Sequence, residues 1–400
     1  MENEFNYKKY LKAILFLGIL LLIFNFILNT VSYKSEKELY EMDLERALRE
    51  NKKVEKYCGI NYVPEFDLGL NFLGIEDSKD ENVLWDNINK YINDWFKNPA
   101  KYLSLEEQDL PKVGDIRIQD GFIEFPSVLD KNQIVRFKYD PQPVGTVGGR
   151  VALIFVMHWN GNLKPYDMGV SLARDMILPI STLIHIPAGR MSNLGEENTC
   201  PFDYESVSPN IGKTIFNTRQ DVLDIQFVAK YLKEKLEYDE VGLHTYSMGS
   251  LKGILASLFI QGLFDSGVFH MAASSFTDSV MKGIGTEEIA EKIEGNIDIN
   301  LLDTFWSVIS PGRYGSNLKN LPAKTKLVQV EYDFVFGPKN VDDINFIVKK
   351  NRSDVELDIE NVGHSTFGRF PAGALITLDD IKFIYANTLM KEDKKAKLFE

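Results

Sequence analysis

Six short strand-like runs, most of them apolar, punctuate the chain from residue 151 onward, and segments of helical spacing separate most of them. The first is VALIFVMH (151–158), a continuous apolar stretch of the kind that suits a strand covered on both faces of a parallel sheet. STLIHIP (181–187), VGLHTY (241–246), GVFHMAAS (267–274), KLVQVEY (326–332) and DVELDIENV (354–362) continue the series. Between them, DMGVSLARDMI (167–177), residues 219–236 and a segment from Gly249 to about Gly262 carry helical patterns, with Val222, Ile225, Val228 and Leu232 in one stripe. Strand and helix in alternation mean a mostly parallel, doubly wound α/β sheet. Ahead of it, GFIEFPSVL (121–129) and QIVRFKYDP (133–141) alternate partly in period two and read as a strand pair, followed by a Gly-rich turn at Gly145–Gly149. Residues 278–320 break the rhythm with two helical stretches, GTEEIAEKIEG and INLLDTFWSVI, and read as a helical cap inserted over one end of the sheet. Leu301, Leu302, Phe305 and Trp306 in that cap either line a pocket or pack on the body.

The N-terminal third reads differently. Residues 13–31, AILFLGILLLIFNFILNTV, are nineteen residues without a charge, long enough to cross a hydrocarbon core of roughly 30 Å as a helix. Lys8, Lys9 and Lys12 precede them, which favours a cytoplasmic tail (1–12) and an exported body, and Lys34 and Lys37 after them weaken that bias. A cleaved signal peptide ending at Thr30–Ser32 is the competing reading. Residues 32–112 form a helical stalk or extension. Its 34–56 segment is a charged stalk or surface helix, and 83–97 is an amphipathic helix with Leu84, Ile88, Tyr91, Ile92 and Phe96 on one face. The main body spans 113–400. With 44 % apolar and 26 % charged residues, the chain is not disordered, collagenous or a polytopic membrane protein. Its net charge of −13, with no basic stripe, argues against nucleic acid as a partner. Two cysteines, Cys58 and Cys200, cannot build a disulfide scaffold or a four-thiolate zinc site, and whether they pair is open. No His/Asp/Glu cluster has metal-ligand spacing.

The chemistry concentrates at Thr245-Tyr246-Ser247-Met248-Gly249, between the strand VGLHTY and the helix opened by Gly249. A serine on a tight strand-to-helix turn is held in a strained conformation with its hydroxyl pushed out of the sheet, and small residues two positions either side let strand and helix approach. Gly249 meets that need; Thr245 stands where glycine is usual. A neutral serine is a poor nucleophile, so an imidazole must take its proton, and a carboxylate must orient that imidazole. Of five histidines, only His270 and His364 follow Ser247. His270 lies inside an apolar strand and reads as a core histidine. His364 stands in Asn361-Val362-Gly363-His364-Ser365, a turn just after a strand. For the acid, KLVQVEYDFVFGP offers Glu331 and Asp333, and Asp333 is nearer the strand end.

On these residues the chain, over roughly 115–395, resembles the α/β-hydrolase superfamily, in which nucleophile, acid and base follow in the order Ser, Asp, His. The resemblance implies Ser247 as nucleophile, Asp333 as the post-strand acid and His364 as base. It implies an oxyanion hole from the backbone N–H of Met248 and a donor in the loop His158-Trp159-Asn160-Gly161, at Trp159 or Asn160. For His158, orienting that loop and a catalytic role are both open. It further implies an acyl substrate, most commonly a carboxylic ester, small or lipid-borne, with no cofactor and no metal. Lipase, thioesterase, peptidase and acyltransferase chemistry all fit one triad, and a catalytically silent binding module at the membrane is the reading from another class. His185-Ile-Pro-Ala-Gly-Arg190 resembles a turn of the same fold, with Arg190 read as a structural ion-pair partner. Gly212-Lys213-Thr214 lacks the upstream glycine of a phosphate-binding loop, and the Asn351-Arg352-Ser353 sequon carries little weight.

Overall fold

Among the described residues a nine-stranded sheet forms the centre of the protein. In this computed structural model the described residues are 35–58, 63–141, 150–159, 163, 170, 180–187, 206–364, 367, 376, 379–380 and 383–384. Strands β1 (Arg117–Gln119), β2 (Phe122–Pro126) and β3 (Ile134–Asp140) form an antiparallel edge. Burial alternates along β2 and over the first residues of β3, so one face packs and the other is wetted, as their sequences predict. Strand β3 runs antiparallel to β5 (Ser181–Ile186). From β5 onward the sheet is parallel through β4 (Val151–Val156), β6 (Glu240–Tyr246), β7 (Ser266–His270), β8 (Lys324–Tyr332) and β9 (Glu356–Gly363). Strands β4, β5 and β7 are buried at every position, the polar Ser181, Thr182, His185, Ser266 and His270 included, because both faces of the sheet are covered there.

On one face lies the longest described helix of the body, α3 (Ile211–Glu234). Asn210 caps it by accepting from the Lys213 N–H at 2.9 Å. Its Val222, Ile225, Val228 and Leu232 are fully buried, as their spacing requires. Gly212-Lys213-Thr214 forms the first turn of this helix. A Cβ on Gly212 would stand 2.0 Å from the Gly69 carbonyl oxygen, so the glycine serves chain crossing rather than phosphate binding. The N-terminal extension shares the core. Helix α2 (Glu81–Lys97) inserts Ile88 and Trp95 at zero exposure. Buried Gln226 of α3 accepts from the Leu105 N–H and donates to the carbonyls of Leu103 and Ala256, tying extension to body. Helix α1 (Glu36–Cys58) lies against β8 and β9, with Leu39 buried and the Tyr40 ring edge-on to Phe334, centroids 5.1 Å apart.

Between β7 and β8 come α5 (Phe276–Lys282), α6 (Glu287–Ile293) and α7 (Ile299–Trp306), then 3-10 turns to Asn320. The pocket-lining alternative for this segment fails at three positions. Leu302, Phe305 and Trp306 are wholly buried in the main core, and half-buried Leu301 packs against it. The reason is that α7 lies on α3, so its apolar stripe faces the body.

Among the described residues no helix is long and apolar enough to cross a membrane. The apolar segment 13–31 lies outside them, as do Cys200, Arg190, the 145–149 turn and, apart from Val170, the helix expected over 167–177.

Candidate active site

The centre of the candidate site is the crossing from β6 to α4 (Met248–Ser257). Ser247 sits between them with φ 54° and ψ −119°, a conformation L residues rarely adopt, at a cost of about 1–3 kcal/mol. Its N–H donates to the His270 carbonyl on β7 at 2.9 Å. Gly249 permits the turn: a Cβ there would stand 2.2 Å from the Val156 carbonyl oxygen and 2.6 Å from that of Met157. The start of α4 is thereby pressed against the end of β4.

Thr245 is accommodated by a second glycine. A Cβ on Gly253 would meet the Thr245 Cγ2 at 2.6 Å, so the room glycine usually leaves on the strand is left on the helix instead. The Thr245 hydroxyl donates to Ser250 Oγ at 2.9 Å, and Ser250 Oγ donates to the His270 carbonyl at 2.6 Å.

Asp333 follows β8 and is 1 % exposed. Its Oδ1 accepts from the Phe336 N–H at 2.8 Å, and its Oδ2 lies 2.9 Å from His364 Nδ1. His364 Nε2 lies 2.9 Å from Ser247 Oγ. The Phe336 ring stands edge-on to the imidazole, centroids 5.0 Å apart. A β-bulge makes this meeting possible: Val330 pairs with Glu360 and Tyr332 with Gly363, so two steps on β8 match three on β9. The extra residue turns the end of β9 and sets His364 beside Asp333. Glu331, the other acid considered, is exposed on β8.

Met248 opens α4, so its N–H belongs to the first turn, where donors have no intrahelical acceptor. Trp159 is half-buried just past β4; Asn160 lies outside the described residues. His158 is held neutral: burial first, then Arg46 of α1 and then His364, push its pKa down to about 3. Of the three candidate side chains, Ser247 and His364 can exchange a proton directly, and a buried carboxylate fixes the imidazole so that Nε2 faces the hydroxyl.

The fold itself has solved counterparts. The chain is similar to acetyl xylan esterase 1 from Thermoanaerobacterium sp. JW/SL YS485, with a TM-score of 0.50 and 15 % identity over 73 % of this chain and 93 % of that one.

The chain has the α/β-hydrolase fold.

It is also similar to an acetyl xylan esterase from Paenibacillus sp. R4 (TM-score 0.49, 12 % identity, 83 % of this chain and 98 % of that one). A third similar structure is Pyrococcus horikoshii acylaminoacyl peptidase (TM-score 0.48, 14 % identity). There 74 % of this chain matches but spans only 44 % of the peptidase. No protein-family model and no curated protein matches the sequence.

Within this α/β-hydrolase fold, sequence reasoning missed a second buried polar cluster behind the Ser247 turn. His244, His270 and Asp380 are each at zero exposure, with His270 Nε2 2.7 Å and His244 Nε2 3.3 Å from Asp380 Oδ2. No sequence signal joins them, since Asp380 is 110 residues beyond His270. A buried ion pair, Lys252 to Asp221 at 2.6 Å, lies between α4 and α3. His185, inside the strand expected over 181–187, is buried on β5 with Nε2 4.0 Å from Asp221 Oδ1.

Proposed function

We propose that the protein is a serine hydrolase that cleaves an acyl bond, a carboxylic ester in the simplest case. Ser247 Oγ attacks the acyl carbonyl carbon while His364 Nε2 takes the hydroxyl proton, and Asp333 stabilises the imidazolium that forms. The carbonyl π electrons move to oxygen, and that oxyanion accepts from the Met248 N–H and from a donor in the 159–160 loop. Collapse breaks the bond to the leaving alcohol, which receives the proton from His364. Water then attacks the acyl-serine by the same proton path, releasing the acid and restoring Ser247.

The observation that carries this reading is the unbroken path from Ser247 Oγ through His364 to Asp333, two contacts of 2.9 Å each. The strained backbone at Ser247 supports it, because strain that the surroundings must hold in place is concentrated at functional sites. We also propose that residues 13–31 anchor the chain in a membrane as a single helix with the hydrolase body on the extracytoplasmic side, which rests on their charge-free length and the lysines before them.

A fluorophosphonate probe tests the hydrolase. The full-length chain is expected to label at one site, and Ser247→Ala to abolish the label while unfolding at the same temperature. Absence of labelling in a folded wild-type chain refutes the reading. A panel of p-nitrophenyl esters of rising chain length then defines the acyl group.

A further inference from the structure

The buried cluster behind the Ser247 turn poses a problem of proton accounting. His270 Nδ1 lies 2.8 Å from the Thr245 carbonyl oxygen, which only accepts. His270 Nε2 lies 2.7 Å from Asp380 Oδ2. A neutral imidazole has one N–H and cannot donate to both. Either the ring carries two protons or Asp380 carries one. Lys326 of β8 places its ammonium 3.7 Å from Asp380 Oδ1, which favours the ionised carboxylate. Burial pulls the Asp380 carboxyl up, but His270 and His244 hold it well below the ordinary carboxylate range. His244 is kept neutral, its pKa pushed down to about 4 by burial above all, so it donates Nε2–H to the same oxygen. The other charges around the cluster are Asp379, Asp358 and Glu356, held through Lys326, and Glu360, whose carboxyl pKa is pushed up by burial and then by Asp358, against the pull of Lys326. The Tyr246 ring stacks on the His270 ring, centroids 4.5 Å apart and 13° from parallel, a favourable place for a cation.

His270 also grips the Ser247 turn with its backbone. Its carbonyl accepts from the Ser247 N–H at 2.9 Å and from Ser250 Oγ at 2.6 Å, while its ring holds the Thr245 carbonyl. One residue therefore ties down the turn on both sides of the nucleophile.

We propose that His270 is a positioning residue, a buried imidazolium paired with Asp380, whose ring and carbonyl together hold Ser247 in its strained conformation. The inference rests on the hydrolase reading for its consequence, not for its protonation state. A divalent cation bridging the same atoms is the rival, since among the described residues these three form a group that could hold a metal, their ligand atoms all within 4.8 Å. The 2.7 Å separation is that of a single shared proton.

The test is ¹⁵N NMR of the full-length chain labelled at histidine, with the His270 signals assigned by their loss in His270→Gln. Both ring nitrogens are expected to be protonated at pH 8. A ring with one N–H at that pH overturns the inference, as does one equivalent of zinc in the purified protein that is lost in His270→Gln. In Asp380→Asn, kcat on a p-nitrophenyl ester is expected to fall about tenfold to a hundredfold with KM within about twofold. An unchanged kcat, or a loss lying wholly in KM, overturns the positioning role. The NMR measurement needs no turnover, so it separates a failure here from a failure of the hydrolase reading.

Discussion

Replacing Asp333 by Asn should disable the site without unfolding it. The two carboxylate oxygens have different tasks: Oδ1 accepts from the Phe336 N–H at 2.8 Å, and Oδ2 faces His364 Nδ1 at 2.9 Å. An asparagine side chain has one oxygen and one NH₂. The Phe336 N–H is buried and needs an acceptor, so the amide oxygen takes that position and the NH₂ points at His364. His364 must then offer a lone pair at Nδ1 and carry its proton on Nε2, facing Ser247 Oγ. In that tautomer it cannot accept the serine proton. A wrong-tautomer imidazole of this kind costs about 10⁴-fold in kcat, equivalent to about 5–6 kcal/mol of transition-state stabilisation. Stability should barely change, because both hydrogen bonds at residue 333 persist in altered form. Asp333→Ala differs: it leaves the Phe336 N–H without its acceptor, at about 1–3 kcal/mol of stability. The assay is the second-order rate constant for fluorophosphonate labelling, paired with urea unfolding of both variants. An Asp333→Asn chain that labels within tenfold of wild type would show that this carboxylate does not set the imidazole's tautomer.

Three further outcomes are expected. Gly253→Ala places a Cβ against the Thr245 methyl and should cost about 1–3 kcal/mol; Thr245→Ser, which keeps the hydroxyl and deletes that methyl, should restore most of it, and strict additivity in the double-mutant cycle refutes the compensation. Removal of residues 1–34 should free an active chain from the membrane fraction, whereas removal of 1–62 strips α1 from Phe334 and the Asp333 turn and should slow labelling; equal reactivity of the two refutes any role for α1. Acid should destabilise the fold through His158. The folded state refuses a proton until about pH 3, while an unfolded histidine binds one near 6.5, so stability falls as pH drops through that window. His158→Asn should therefore shrink the loss in urea midpoint between pH 7.5 and 4.5, and an undiminished loss refutes the assignment.

Local pattern was enough to read the architecture. Continuous apolar runs such as 151–156 and the 3.6-residue stripe of 222–232 reflect burial on both faces or on one, and burial is what covers those segments in the sheet and on α3. The same is true of Ser247: strand, tight turn and Gly249 are neighbours in sequence, so the strained turn is legible there. His364 and Asp333 were legible as types at strand ends, because each needs only its own strand to place it.

What tertiary structure decided is every distance across the sheet. The bulge that sets His364 beside Asp333 depends on how β9 registers against β8, and nothing in residues 356–363 alone specifies a partner strand. Gly253 answers Thr245 eight residues later, across a strand-helix contact. Leu302, Phe305 and Trp306 were apolar in sequence whether they lined a pocket or filled the core, and only the seat of α7 on α3 chose between those fates. Asp380 carries no local mark at all; its meaning comes from the two imidazoles it meets in a dry interior, where a charge survives only beside its partner.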